Sequence, residues 1–165
     1  MPKPLIIFST HRKNIPPSLL PYLMATGSLT AKFEKLSGQK LVVKPISEGR
    51  QTLTLAEKKQ LNLPLNRPQS AWVREVYLKG WATGEAWVLA RSVFPFASLA
   101  GNAKQLANLG ATPIGYVMFG RNGATIVKRW IQKTQHGWQR TSLYDWQGRK
   151  LLISETFSPE FLTQI

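Results

Sequence analysis

The chain has 165 residues, 43% hydrophobic and 18% charged, a composition that suits one ordinary folded domain spanning residues 1–165 and excludes a disordered chain. It has no cysteine, two histidines far apart (His11 and His136) and a single aspartate, Asp145. Disulfides, thiolate metal sites and cysteine nucleophiles are therefore excluded, and neither a histidine-based metal site nor a Ser-His-Asp triad is expected. Lysine and arginine outnumber aspartate and glutamate 22 to 8, for a net charge of +14, which favours an anionic partner. The cations stand as singles and pairs such as Lys58-Lys59, Lys128-Arg129 and Arg149-Lys150, not as the basic block of a nucleic-acid-binding arm, so nucleic acid is not the expected partner.

In chain order, the apolar run Leu5-Ile6-Ile7-Phe8 is too short for a signal-peptide core. No later stretch reaches the ~18 apolar residues of a membrane span, so a cytoplasmic protein with no integral membrane segment is expected. Ser18 to Ala25 and Leu29 to Leu36 read as a short helical pair, the second capped by Ser28 and closed by Gly38. Lys40 to Glu48 reads as a strand ended by Gly49, with Pro45 placing it at an edge or on a bulge. Thr54-Leu55-Ala56-Glu57 has the form of a capping box opening a short helix, and Pro64 and Pro68 then impose an extended loop or lid.

Ala71 to Leu78 and Ala86 to Phe94 form a hairpin about the turn residues Gly80 to Glu85. Asn102 to Asn108 is a short helix stopped by Gly110, and Thr112-Pro113-Ile114-Gly115 turns the chain into the apolar run Tyr116 to Phe119. Ala124 to Lys133, Gly137 to Trp146 and Lys150 to Phe157 then suit an antiparallel meander. The expected fold class is α+β, a single antiparallel sheet of about six strands with short helices on one side.

Alternation along the strands points charged side chains inward. Arg74 shares a face with Trp72, Val76 and Leu78, and Glu155 with Leu151, Ile153 and Phe157. Arg91 is counted with Trp87, Leu89 and Val93. Buried unpaired charges cost several kcal/mol, so these groups either pair with each other inside the core or face an ionic ligand. In the second case Arg74 would fork a carboxylate and Glu155 would accept from a hydroxyl across a closed pocket.

The residues Trp72-Val73-Arg74-Glu75-Val76, Gly84-Glu85-Ala86-Trp87, Ala90-Arg91-Ser92-Val93-Phe94-Pro95, Leu109-Gly110-Ala111-Thr112-Pro113-Ile114-Gly115 and Leu151-Leu152-Ile153-Ser154-Glu155 resemble the chorismate lyase family. Ser28 to Glu34 matches a further family segment, and the resemblance runs from about Pro16 to Pro159, weakest from Arg121 to Gln135. It implies a carbon–oxygen lyase that converts chorismate to 4-hydroxybenzoate and pyruvate in ubiquinone biosynthesis, inhibited by its product and needing neither metal nor cofactor. It also implies helical flaps over an internal ligand pocket, formed by Ser28 to Leu36 and Asn102 to Phe119. Ligand contacts fall on Leu29, Arg74, Ile114 and Glu155, with Arg74 and Glu155 catalytic and those at Leu29 and Ile114 made through the backbone. Arg91 takes a supporting role, neutralising Glu155 or contacting the enolpyruvyl carboxylate. A monomer is expected. The alternative is a non-catalytic effector-binding domain of the same fold, as in bacterial transcription regulators. It is disfavoured because the residues before the match are too few for a DNA-binding module.

Overall fold

The structure, a computed structural model, describes residues 3–99, 101–120 and 123–165, with backbone alone for 101–104. Seven strands form one sheet: β1 (Leu5–Phe8), β2 (Val42–Thr52), β3 (Ser70–Lys79), β4 (Val88–Pro95), β5 (Thr125–Thr134), β6 (Gly137–Trp146) and β7 (Arg149–Phe157). Their spatial order is β1-β5-β6-β7-β4-β3-β2. The six expected strands pair antiparallel, but β1 lies parallel to β5. The sheet is thus mixed and has one strand more than the sequence suggested. A four-residue apolar run carries too little periodicity to be read as a strand, and it gains its partners only by adding to the open edge of β5.

The other departures are local. β2 is the opposite edge and bulges between Pro45 and Ser47, as Pro45 requires, but its ladder continues past Gly49, which pairs with Val73. The segment expected as a helix from Asn102 is a 3-10 helix over Gly101–Asn108. The apolar run after Pro113 is a short helix, α4 (Gly115–Met118). Of the weakly matching stretch from Arg121 to Gln135, residues 121–122 lie outside the described residues and most of the rest is β5.

Helices α1 (Leu20–Met24), α2 (Leu29–Ser37), α4 and α5 (Pro159–Leu162) contribute to the layer over one face, while α3 (Leu55–Gln60) packs on the other. Ser28 Oγ accepts from the Ala31 N–H, and Gly38 closes α2 at φ +76. Phe33 of α2 is fully buried against Trp87 and Phe161, ring centroids 5.4 and 5.1 Å apart. Gly80 is required where the β3–β4 connection passes Trp87, because a Cβ there would lie 2.1 Å from the indole. Thr54 and Glu57 form the expected capping box of α3. Among the described residues no helix is long and apolar enough to cross a membrane.

Candidate active site

The strand register explains how side chains from distant parts of the chain meet. Arg74, Ser92, Ile153, Ser142 and Arg129 are successive cross-strand neighbours along one row from β3 to β5. Val76, Ala90, Glu155, Arg140 and Ile131 form the next row. Both rows point to the face carrying α1, α2 and α4, since successive positions two apart share a face. Arg74, Arg129, Arg140 and Glu155 are all almost completely buried there, at 2%, 0%, 1% and 5% exposure.

Each of these charges has distinct partners. Arg140 donates Nε and Nη2 to Glu155 Oε2 at 3.0 and 2.8 Å, and Nη1 to the carbonyls of Tyr22 and Ala25. Arg129 donates Nε to Ser142 Oγ and Nη1 to the carbonyls of Leu23 and Ala25. The two guanidiniums therefore satisfy carbonyls at the C-terminal end of α1 that helix geometry leaves without internal partners. Arg74 donates Nη2 to the carbonyls of Gly110 and Thr112 at 3.0 and 2.9 Å, which ties β3 to the segment leading into α4, while its Nε is buried without a partner. Burial holds the Arg74 pKa below its ordinary value, and the Glu48 carboxylate partly counters this.

A cavity lies between the sheet and the helices, with about 40 Å³ open to the centre of a water molecule, more than one water occupies. Leu29, Arg74, Ile114 and Glu155 all line it, together with Arg140 and Tyr144. Leu29 is the first residue of α2, so its N–H is one of the helix-start donors with no intrahelical acceptor. Ile114 is the N-cap residue of α4. The two helix starts approach so closely that a Cβ on Gly115 would lie 2.6 Å from Thr30 Oγ1 and 2.9 Å from Ser28 Oγ. Tyr116 of α4 also donates its hydroxyl to Glu34 Oε2 of α2.

Arg91 is not part of this arrangement, which corrects the sequence reading. Its cross-strand neighbours are Glu75 and Ser154, on the opposite face of the sheet from Glu155. There it donates to Glu57 Oε2 at 3.1 Å and Glu75 Oε1 at 2.7 Å. The alternation holds, but Trp87, which precedes β4 and does not belong to the strand, marks the wrong face as the inner one. β4 is also buried on both faces at Ser92 and Val93, so apolarity does not mark its inner side. The group that pairs with Glu155 is Arg140, which sequence reasoning missed along with Arg129 and Tyr144. The same alternation applied to Gly137–Trp146 places Arg140 and Tyr144 with Trp138 and Trp146, and would have found both.

A cavity with an incompletely partnered guanidinium on one strand and a held carboxylate on another suits a small ligand that carries an anionic group and a hydrogen-bond donor. Comparison with known proteins gives the family of the chain. The sequence pattern of chorismate lyase matches residues 6–165. A probable chorismate pyruvate-lyase from Psychrobacter cryohalolentis is 51% identical, with 90% of each chain covered. The chorismate pyruvate-lyase of Yersinia enterocolitica is 31% identical, with 95% of this chain and 90% of that protein covered. Among solved structures, a possible transcriptional regulator, YydK from Bacillus subtilis, is similar with a TM-score of 0.51 and 9% identity. It covers 73% of this chain and 58% of its own, a likeness of fold alone. The chain belongs to the chorismate lyase family.

Proposed function

We propose that this protein is a chorismate pyruvate-lyase, cleaving chorismate to 4-hydroxybenzoate and pyruvate. The observation that carries the proposal is the meeting of Arg74 and Glu155, from β3 and β7, on one cavity roofed by Leu29 and Ile114. Arg74 offers the ring carboxylate a cation with an unpartnered Nε. Both Arg140 bonds go to Glu155 Oε2, so Oε1 is the acceptor for the ring hydroxyl. The start of α2 presents the Leu29 N–H, and Ile114 presents its backbone from the α4 cap.

In the reaction the ring loses the hydrogen on its hydroxyl-bearing carbon, the neighbouring carbon–oxygen bond to the enolpyruvyl group breaks, and the ring becomes aromatic. With one oxygen of Glu155 bound to Arg140 and the other to the ring hydroxyl, the hydrogen passes directly to the enolpyruvyl methylene, which becomes the methyl of pyruvate. The protein's part is orientation and charge placement, which alone supply several kcal/mol of barrier reduction. Release of 4-hydroxybenzoate is slowed because both anchors persist after pyruvate leaves, so product inhibits competitively. We extend this reading to a cytoplasmic monomer that uses neither metal nor cofactor.

The test is incubation of purified protein with chorismate deuterated at the hydroxyl-bearing carbon, with EDTA present. Equal amounts of 4-hydroxybenzoate and pyruvate, with the label in the pyruvate methyl, are expected. Unequal products refute the lyase reading, loss of activity restored by a divalent cation refutes its metal independence, and unlabelled pyruvate refutes direct transfer. If chorismate is untouched while the cavity binds small aromatic carboxylates, the effector-binding alternative replaces the enzyme.

A further inference from the structure

The charges buried beneath the flaps do not balance. On that face Arg74, Arg129 and Arg140 bring three positive charges and Glu155 one negative, and no other aspartate or glutamate among the described residues is buried there. Glu155 pairs with Arg140. Arg74 is assigned above to the ring carboxylate, which leaves Arg129. A fully buried, uncompensated cation is costly, and burial together with the nearby Arg140 charge lowers its pKa to about 10, so it stays charged at neutral pH. Its Nη2 is buried without a hydrogen-bond partner.

Arg129 reaches the cavity through Tyr144. This residue is two positions along β6 from Ser142, shares its face, and lines the cavity at 2% exposure. Its ring packs against Phe119 with centroids 5.6 Å apart, a contact that phenylalanine would make equally well. The hydroxyl therefore needs a separate reason. It lies beside the Arg129 guanidinium. Flanked by Arg129 and Ser142, the phenol has no protein acceptor for its O–H among the described residues, and the cavity that Tyr144 lines is the side left open to it.

We propose that Tyr144 is a further substrate-contacting residue, donating its hydroxyl to the carboxylate on the enolpyruvyl arm, with Arg129 behind it as the positioning residue that supplies the second positive charge. The inference rests on the chorismate lyase reading, and chorismate is a dicarboxylate whereas 4-hydroxybenzoate carries one carboxylate. Arg74 and Arg129 stand four strand spacings apart along their row, about 19 Å measured along the sheet, too far to share one carboxylate. The contact would act on substrate and vanish once pyruvate departs, so it distinguishes reactant from product where Arg74 and Glu155 do not.

The test compares steady-state kinetics on chorismate with competitive inhibition by 4-hydroxybenzoate in the wild type, Tyr144→Phe and Arg129→Met. The proposal predicts that Tyr144→Phe raises KM for chorismate roughly tenfold, the scale of one hydrogen bond to a charged group, while the 4-hydroxybenzoate inhibition constant stays within about twofold. Arg129→Met shifts the same ratio in the same direction. A merely structural role moves both constants together, and that result, or no change in either, overturns the proposal. Tyr144→Phe keeps the ring and its packing, so it decides the matter even if Arg129→Met fails to fold. Wild-type protein inert towards chorismate would instead overturn the underlying lyase reading.

Discussion

Arg74 and Arg140 are both buried guanidiniums on one face, yet their hydrogen bonds give them different work. Arg140 spends its donors on Glu155 and on the carbonyls of Tyr22 and Ala25, so it holds Glu155 in place and closes α1. Arg74 uses Nη2 on two carbonyls and keeps Nε without a protein partner, which is why the proposed function assigns the ring carboxylate to it. Arg74→Lys keeps the charge but loses the planar fork. It is expected to weaken 4-hydroxybenzoate binding by about 1.5–3 kcal/mol, the scale of hydrogen bonds to charged groups, as measured by calorimetry. Unchanged affinity would remove Arg74 from the ligand site. These roles were only partly legible in the sequence. Alternation on β3 and β7 picked out Arg74 and Glu155 because each is the lone charge among apolar neighbours. Alternation on β6 would have found Arg140, whereas Arg129 is hidden by the bulge between Ile126 and Lys128, which shifts the alternation of β5 ahead of it.

At the scale of elements, capping chemistry was the most readable signal. Ser28, Gly38 and the Thr54–Glu57 box set α2 and α3 where the sequence placed them, because caps depend on residues three or four apart. Pairing across the chain was less readable: β1 has no local signature and exists as a strand only through β5. The two faces of β4 could not be told apart either, and that is where Arg91 was misplaced. Its observed place predicts a stability role. Burial alone would raise the Glu57 pKa, but hydrogen bonds from Arg91 and Thr54 and the Arg91 charge hold it below the ordinary value. A depressed carboxylate pKa contributes stability above the unfolded-state pKa and loses it as pH falls through the folded-state one. Arg91→Gln should therefore lower unfolding free energy at neutral pH by about 1–2 kcal/mol, discounted for partial exposure. The deficit relative to the wild type should shrink on acidification through the carboxylate range, while 4-hydroxybenzoate affinity is preserved. Urea titrations at several pH values read the first effect and calorimetry the second. A pH-independent deficit, or lost product affinity, would contradict the assignment of Arg91 to the outer face.

At the scale of the whole molecule, the sheet separates two tasks. Its outer face carries α3 and the Arg91 cluster. Its inner face carries the buried charges Arg74, Arg129, Arg140 and Glu155 under short helices that meet closely at Gly115 and Thr30 and are joined by Tyr116 and Glu34. The excess of positive charge, +14 over the chain, favours the approach of an anionic ligand. The central claim is that one ring is gripped at both ends between Arg74 and Glu155, and a crystal structure with 4-hydroxybenzoate bound tests it most directly. The account predicts the product inside this cavity, its carboxylate on Arg74 and its hydroxyl on Glu155 Oε1, beneath the Leu29 and Ile114 backbone. Product bound in the outer groove beside Lys44 and His136, or reversed with its carboxylate towards Arg129, would contradict it.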